Sequence, residues 1–152
     1  MKGRMISSII AVVGCSGLLV AGPGLSQGNA EEPKSSQPVR EQVKVLASYD
    51  VKEKLDGEDA TVTIVEVTFG PGQASASHRH PGPTFVYVVE GTYELGIDDK
   101  PTKIYKVGQT FEEPSGLLHR VSRNPASTGK TKLIAVILHP RSAKDILTPA
   151  DH

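Results

Sequence analysis

The chain has 152 residues, enough for one domain, with 17 basic against 17 acidic side chains and a pI near 7. A nucleic-acid binder would carry a basic excess or a basic stripe, and neither is present. Aromatic residues make up 5 % of the chain and tryptophan is absent, which argues against base-stacking platforms.

In chain order, residues 1–30 read as a targeting segment. Lys2 and Arg4 give a positive start, an apolar run extends from Met5 to Val20, and small or polar residues lead to Ala30. This pattern predicts a secretory signal peptide cut near Ala30, and a periplasmic or extracellular protein. A membrane anchor is the competing reading. The run contains Ser and Gly and falls short of the roughly 20 apolar residues that a span needs. Val12 to Cys15 also has the pattern of a lipoprotein cleavage box, so lipid anchoring at Cys15, and with it a membrane association, is the alternative. Against it, the apolar run continues through Leu18, Leu19 and Val20. Cys15 is the only cysteine, so a chain cut near Ala30 has no disulfide and depends on a packed core. Loss of Lys2 and Arg4 leaves 15 basic and 17 acidic residues, a formal charge of −2.

Residues 31–41 are rich in Glu, Pro, Ser and Gln and read as a solvated linker. Beyond them the patterns are β. Thr61 to Phe69 alternates and then turns more apolar, and Thr84 to Gly91 is β-branched and aromatic. Thr92 to Ile97 places Tyr93, Leu95 and Ile97 on one face. Thr102 to Val107, Gln109 to Pro114, Leu117 to Ser122 and Lys132 to Leu138 follow, divided by Gly, Pro, Asp and Asn at spacings near ten residues. That rhythm predicts an all-β sandwich or barrel over 42–140. Residues 141–152 form a C-terminal tail, where a helical turn around Ala143 to Leu147 is the one helical expectation.

The chemistry centres on His78 and His80. Strand side chains alternate, so both imidazoles point to one side and Arg79 to the other. Two such rings can meet one ion at about 2.0–2.1 Å. His119 follows a turn containing Pro114 and Gly116, which can bring it back across the sheet. The bland alternative is a set of structural histidines. His139 beside Pro140 and the terminal His152 are expected not to be ligands.

Residues 72–91 read Gly72, five residues, His78, one, His80, three, Thr84, six, Gly91. Residues 108–119 read Gly108, five, Pro114, one, Gly116, two, His119. The chain resembles the small single-domain cupin family, of secreted bacterial type, from about Val43 to Pro140. The resemblance implies a double-stranded β-helix, a jelly-roll barrel holding one divalent transition metal on His78, His80 and His119. The ion would be Fe, Zn, Ni, Mn or Cu, since three-histidine sites suit all of them. It also implies a homodimer. Two positions depart from the family pattern. The motif glutamate falls on Thr84, and the closing asparagine falls on Arg123, with Asn124 one place late.

Loss of the glutamate leaves three neutral imidazoles around a full +2 charge, a stronger Lewis acid. Thr84 is a poor ligand and is expected to hold a water or to leave room for substrate. Glu113 shares the parity of the apolar Phe111, so it is expected to point inward as a fourth ligand or an acid/base group. A solvated glutamate at a strand end is the plain alternative. Tyr87, Phe85, Phe111 and Arg120 are candidate walls of a substrate pocket, with Arg123 a further candidate anion contact.

Two functions of different class follow. One is a metal-dependent enzyme, an oxygenase or isomerase acting on a small anionic, phenolic or enolisable substrate. The other is a non-catalytic periplasmic binder of a small molecule or metal, using the mouth of the barrel. A structural cupin without metal is the third possibility.

Overall fold

The computed structural model describes residues 40–150. The proposed signal peptide, Cys15, most of the linker and His152 lie outside the described residues. Ten strands follow one another: β1 Gln42–Leu55, β2 Glu58–Phe69, β3 His78–Arg79, β4 Thr84–Glu90, β5 Thr92–Ile97, β6 Lys103–Lys106, β7 Thr110–Glu113, β8 His119–Arg123, β9 Thr131–Pro140 and β10 Thr148–Pro149. They form two five-stranded antiparallel sheets, ordered β1-β2-β9-β4-β7 and β10-β3-β8-β5-β6. The all-β architecture expected from the sequence is the one observed.

Alternation builds the core. On β4, Thr84, Val86 and Val88 are buried, while Phe85, Tyr87 and Val89 face out. On β9, Leu133, Ala135 and Ile137 are buried in the same rhythm. Phe69, Tyr93, Phe111 and Tyr105 form a chain of ring contacts through the interior, with Tyr93 and Phe111 stacked at 5.5 Å and 8°. This core is apolar apart from a few polar side chains. Four of those, Thr84, Glu113, His119 and Ser122, are each at most 4 % exposed.

Two regions differ from the sequence reading. β1 was not anticipated as a strand. Its register against β2 shifts between Val45 and Ala47 and again between Val51 and Lys54, so period two is broken where the pattern would show it. Val43, Val45, Leu46 and Tyr49 on this strand are exposed. The helical turn expected around Ala143 to Leu147 is absent. A single turn bond, Ala143 N–H to Pro140 O, is followed by an irregular stretch ending in β10. β10 pairs with β3, and Ala150 N–H donates to Ser77 O. The tertiary pairing of this segment with β3 outweighs its weak local helical preference.

Turn chemistry sets the hairpins. Asp56 and Gly57 both have positive φ, 51° and 85°, as a two-residue hairpin between β1 and β2 requires. Gly91 has φ 75°, and a Cβ there would lie 2.3 Å from Lys130 O. Replacement of Gly91 by Ala combines a strained backbone with a backbone clash. We expect it to lower the unfolding free energy by at least about 1–3 kcal/mol, read as a fall in the urea midpoint at unchanged slope.

Candidate metal centre

His78 on β3 and His119 on β8 are direct cross-strand partners. Opposed residues of an antiparallel pair share a face, so both rings enter the barrel interior. His80 lies just past β3, before the Pro81-Gly82-Pro83 turn. The turn that carries the second motif is bound to the first: Gly116 N–H donates to His80 O at 3.0 Å, and the Arg79 guanidinium donates to Gly116 O at 2.6 Å. Arg79 faces away from the site and ties the two motifs together from outside.

The three imidazoles form a near-equilateral triangle, with centroids 5.1, 4.9 and 5.0 Å apart and planes inclined by 64–81°. One ligand atom from each lies within 4.8 Å of the others. Two rings are oriented by main-chain carbonyls. His78 Nδ1 contacts Ala76 O at 2.9 Å and His80 Nδ1 contacts Ile146 O at 2.7 Å. A carbonyl only accepts, so Nδ1 carries the proton in both and Nε2 keeps its lone pair. Neither nitrogen of His119 has a hydrogen-bond partner although the residue is 1 % exposed. Buried polar atoms are nearly always paired, and an orphaned imidazole among two others with free lone pairs is the donor set of a cation site. The residues present therefore fit the metal that the motifs imply.

Glu113 lies in the same space. Its carboxylate oxygens are 3.5 Å from His80 Nε2 and 3.6 Å from His119 Nδ1. Burial pushes the Glu113 carboxyl up to about 8. Burial, then its histidine neighbours, hold His119 down at about 3. His80 is lowered chiefly by burial, against the opposing pull of its bond to Ile146. At neutral pH these two imidazoles are uncharged and ready to ligate.

A cavity of about 60 Å³ adjoins the site, lined by His78, His80, Glu113, Glu41, Ser75, Tyr93 and apolar side chains that include Val86, Ile137 and Ile146. No Lys or Arg lines it. Among the other sequence candidates, Thr84 is fully buried, with its hydroxyl unpartnered. Phe111 is buried in the aromatic stack behind Tyr93 and does not line the cavity. Tyr87 and Phe85 are 46 % and 50 % exposed on the outer face of β4, because the alternation that buries Val86 turns them out. Arg120 is also outward. It donates to Asp98 O and Lys100 O, and so holds the β5–β6 turn. Arg123 pairs with Glu94 at the surface. These four are not walls of the site. His139 is apart from the triangle and bonds Thr63 at 2.9 Å. Sequence reasoning missed Tyr93 as a wall and the carbonyls of Ala76 and Ile146. A carbonyl belongs to every residue and leaves no mark in the sequence.

A family profile described as Cupin domain matches residues 65–137. Residues 65–137 are a cupin domain. A germin-like protein, subfamily 2 member 2, of Arabidopsis thaliana is 33 % identical over 81 residues, covering 49 % of this chain and 37 % of that protein. The chain thus spans little more than a third of that relative. A conserved protein with a double-stranded β-helix domain from Klebsiella pneumoniae superposes with a TM-score of 0.54 at 20 % identity, covering 80 % of this chain and 90 % of the other. That likeness shows the fold. A recombinant oxalate oxidase in complex with glycolate gives a TM-score of 0.51 at 26 % identity, covering 69 % of this chain and 53 % of the other.

The cupin site makes two predictions. Glu113 has a raised folded pKa, so its contribution to stability is full below the unfolded value and is lost as pH rises through about 8. His119 has a lowered folded pKa, so its contribution is full above the unfolded value and is lost as pH falls toward about 3. The two trends oppose each other between about pH 4.5 and 6.5, and only the Glu113 trend continues above that. Metal-free protein is therefore expected to lose about 1–2 kcal/mol between pH 6.5 and 8, and Glu113→Gln to abolish that loss, measured by denaturant unfolding at both pH values. Truncation after Pro140 removes the Ile146 carbonyl that orients His80. It is expected to weaken metal binding by about 10–100-fold in a calorimetric titration.

Proposed function

We propose that the protein is a cupin metalloenzyme that binds one divalent transition metal on His78, His80 and His119 and acts as an oxygenase or isomerase on a small organic anion. The observation that carries this reading is the triangle of imidazoles, two with Nε2 freed by carbonyl contacts and one buried without a hydrogen-bond partner. A bound metal would supply Lewis-acid stabilisation of the substrate anion and, for a redox-active ion, access to oxygen chemistry.

The chain's own residues narrow the substrate. The space beside the imidazoles is narrow, which favours a small substrate. Its walls carry no cationic side chain, so an anion finds no ammonium or guanidinium partner there. The apolar walls exclude water and lower the local dielectric, which strengthens every charge interaction inside. Glu113 is placed to take or deliver a proton beside the imidazoles. A short hydroxy acid matches the small volume of this space better than a phenol, with its single negative charge met by the bound metal. Glycolate in the similar oxalate oxidase structure is an acid of that class. The apolar run before Ala30 supports export of the protein, with cleavage near that residue.

A binder without turnover is the second reading, favoured by the small volume of the cavity. Elemental analysis of protein purified without a histidine tag tests both. We expect about one transition-metal ion per chain, lost in His78→Ala and in His119→Ala. Oxygen uptake or substrate loss with short hydroxy acids would then establish the enzyme. Metal bound without turnover of any acid tested would favour the binder. Wild-type protein that takes up no metal would overturn both. Tyr87→Ala and Arg120→Ala, on the outer surface, are expected to leave metal content and turnover unchanged.

A further inference from the structure

We infer that the carboxylate ligand of this cupin site has moved across a strand pair, from position 84 on β4 to Glu113 on β7. The inference deepens the proposed function and rests on its three-histidine metal site.

Register is the first observation. Thr84 and Glu113 are direct partners in the β4–β7 ladder. Partners of an antiparallel ladder share a face, with Cβ atoms about 4.5–5.5 Å apart. A carboxylate carried by either position therefore enters the same part of the barrel. Distance is the second observation. Glu113 places one oxygen 3.5 Å from His80 Nε2 and the other 3.6 Å from His119 Nδ1. Two neighbouring donors bonded at 2.0–2.2 Å to one ion lie about 3.0 Å apart at octahedral and about 3.4 Å apart at tetrahedral angles, and the wider coordination leaves positions for substrate. One carboxylate oxygen thus stands near ligand-to-ligand spacing from His80 Nε2, and the other lies as close to a nitrogen of His119 that has no hydrogen-bond partner.

Burial is the third. Glu113 is 4 % exposed, and its ion-pair contacts among the described residues are with these two histidines, with no Lys or Arg. Interior carboxylates are neutral, paired or bound to a metal. An ion held by three imidazoles would supply the missing partner and would have its +2 charge halved in return. Thr84 is the fourth observation. It is fully buried and its hydroxyl meets no partner. A threonine at that place is too short to serve as the carboxylate did, and it leaves room for the longer side chain opposite.

Cobalt(II) titration of the full chain, followed by calorimetry and by visible absorption, tests the exchange on four proteins: wild type, Glu113→Gln, Thr84→Glu combined with Glu113→Thr, and Glu113→Thr alone. Glu113→Gln keeps the shape of the side chain. It is expected to weaken cobalt binding on the order of 10–100-fold or more and to alter the visible bands. Glu113→Thr should do the same. The swapped double variant should recover both affinity and bands, which a merely structural role of Glu113 would not produce. Wild-type binding with unchanged affinity and spectrum in Glu113→Gln would overturn the inference while leaving the three-histidine site intact. Loss in Glu113→Gln without recovery in a folded double variant would overturn the exchange. A wild type that binds no cobalt would overturn the inference and the proposed function together.

Discussion

Three imidazoles and a carboxylate share a largely apolar interior, and among the described residues no Lys or Arg pairs with the acid. Each group would be costly there alone. The carboxyl is driven toward its neutral form and the histidines away from their charged form. Both responses follow from one desolvation penalty. They leave a set of neutral donors facing one another across a few ångströms, an arrangement that favours a cation above any other occupant.

The rest of the barrel can be understood as the means of holding that cluster. β3 and β8 are short, two and five residues, yet their pairing sets His78 against His119. The Pro114–Gly116 turn is secured to His80 by a main-chain bond and to the Arg79 guanidinium by a side-chain bond, so the two motifs are tied directly together. The C-terminal segment closes over His80 and contributes a carbonyl instead of a side chain. Rigid support of this kind matters for function, since a site whose ligands already stand at the required spacing loses little freedom when it binds.

Asn124 illustrates how a departure from a motif can be absorbed. It stands one place late relative to the family pattern, yet it is 1 % exposed and fully engaged. Its amide donates to Gly70 O and Gly129 O, and its side-chain oxygen accepts from Ala126 N–H. β5 and β8 shift register by a residue between Gly96 and Ile97, at the His119 end of β8. The Thr84 and Glu113 pair is a departure of another kind, in which the ladder partner of the motif position carries the carboxylate.

The sequence alone determined the all-β class, the positions of most strands and the three histidines. Those properties are local: period-two alternation, turn residues, and a spacing that puts two rings on one face. Even the inward direction of Glu113 followed from parity with Phe111. Tyr87, Phe85 and Arg120 were misplaced because aromatic and basic residues suit a pocket and an outer sheet face equally well, and only packing tells one from the other. Tertiary structure alone decided that Thr84 faces Glu113, that Ile146 orients His80 and that Tyr93 closes the cavity. Each depends on which strands become neighbours, and that is fixed by the burial of the whole chain, not by any short stretch of it.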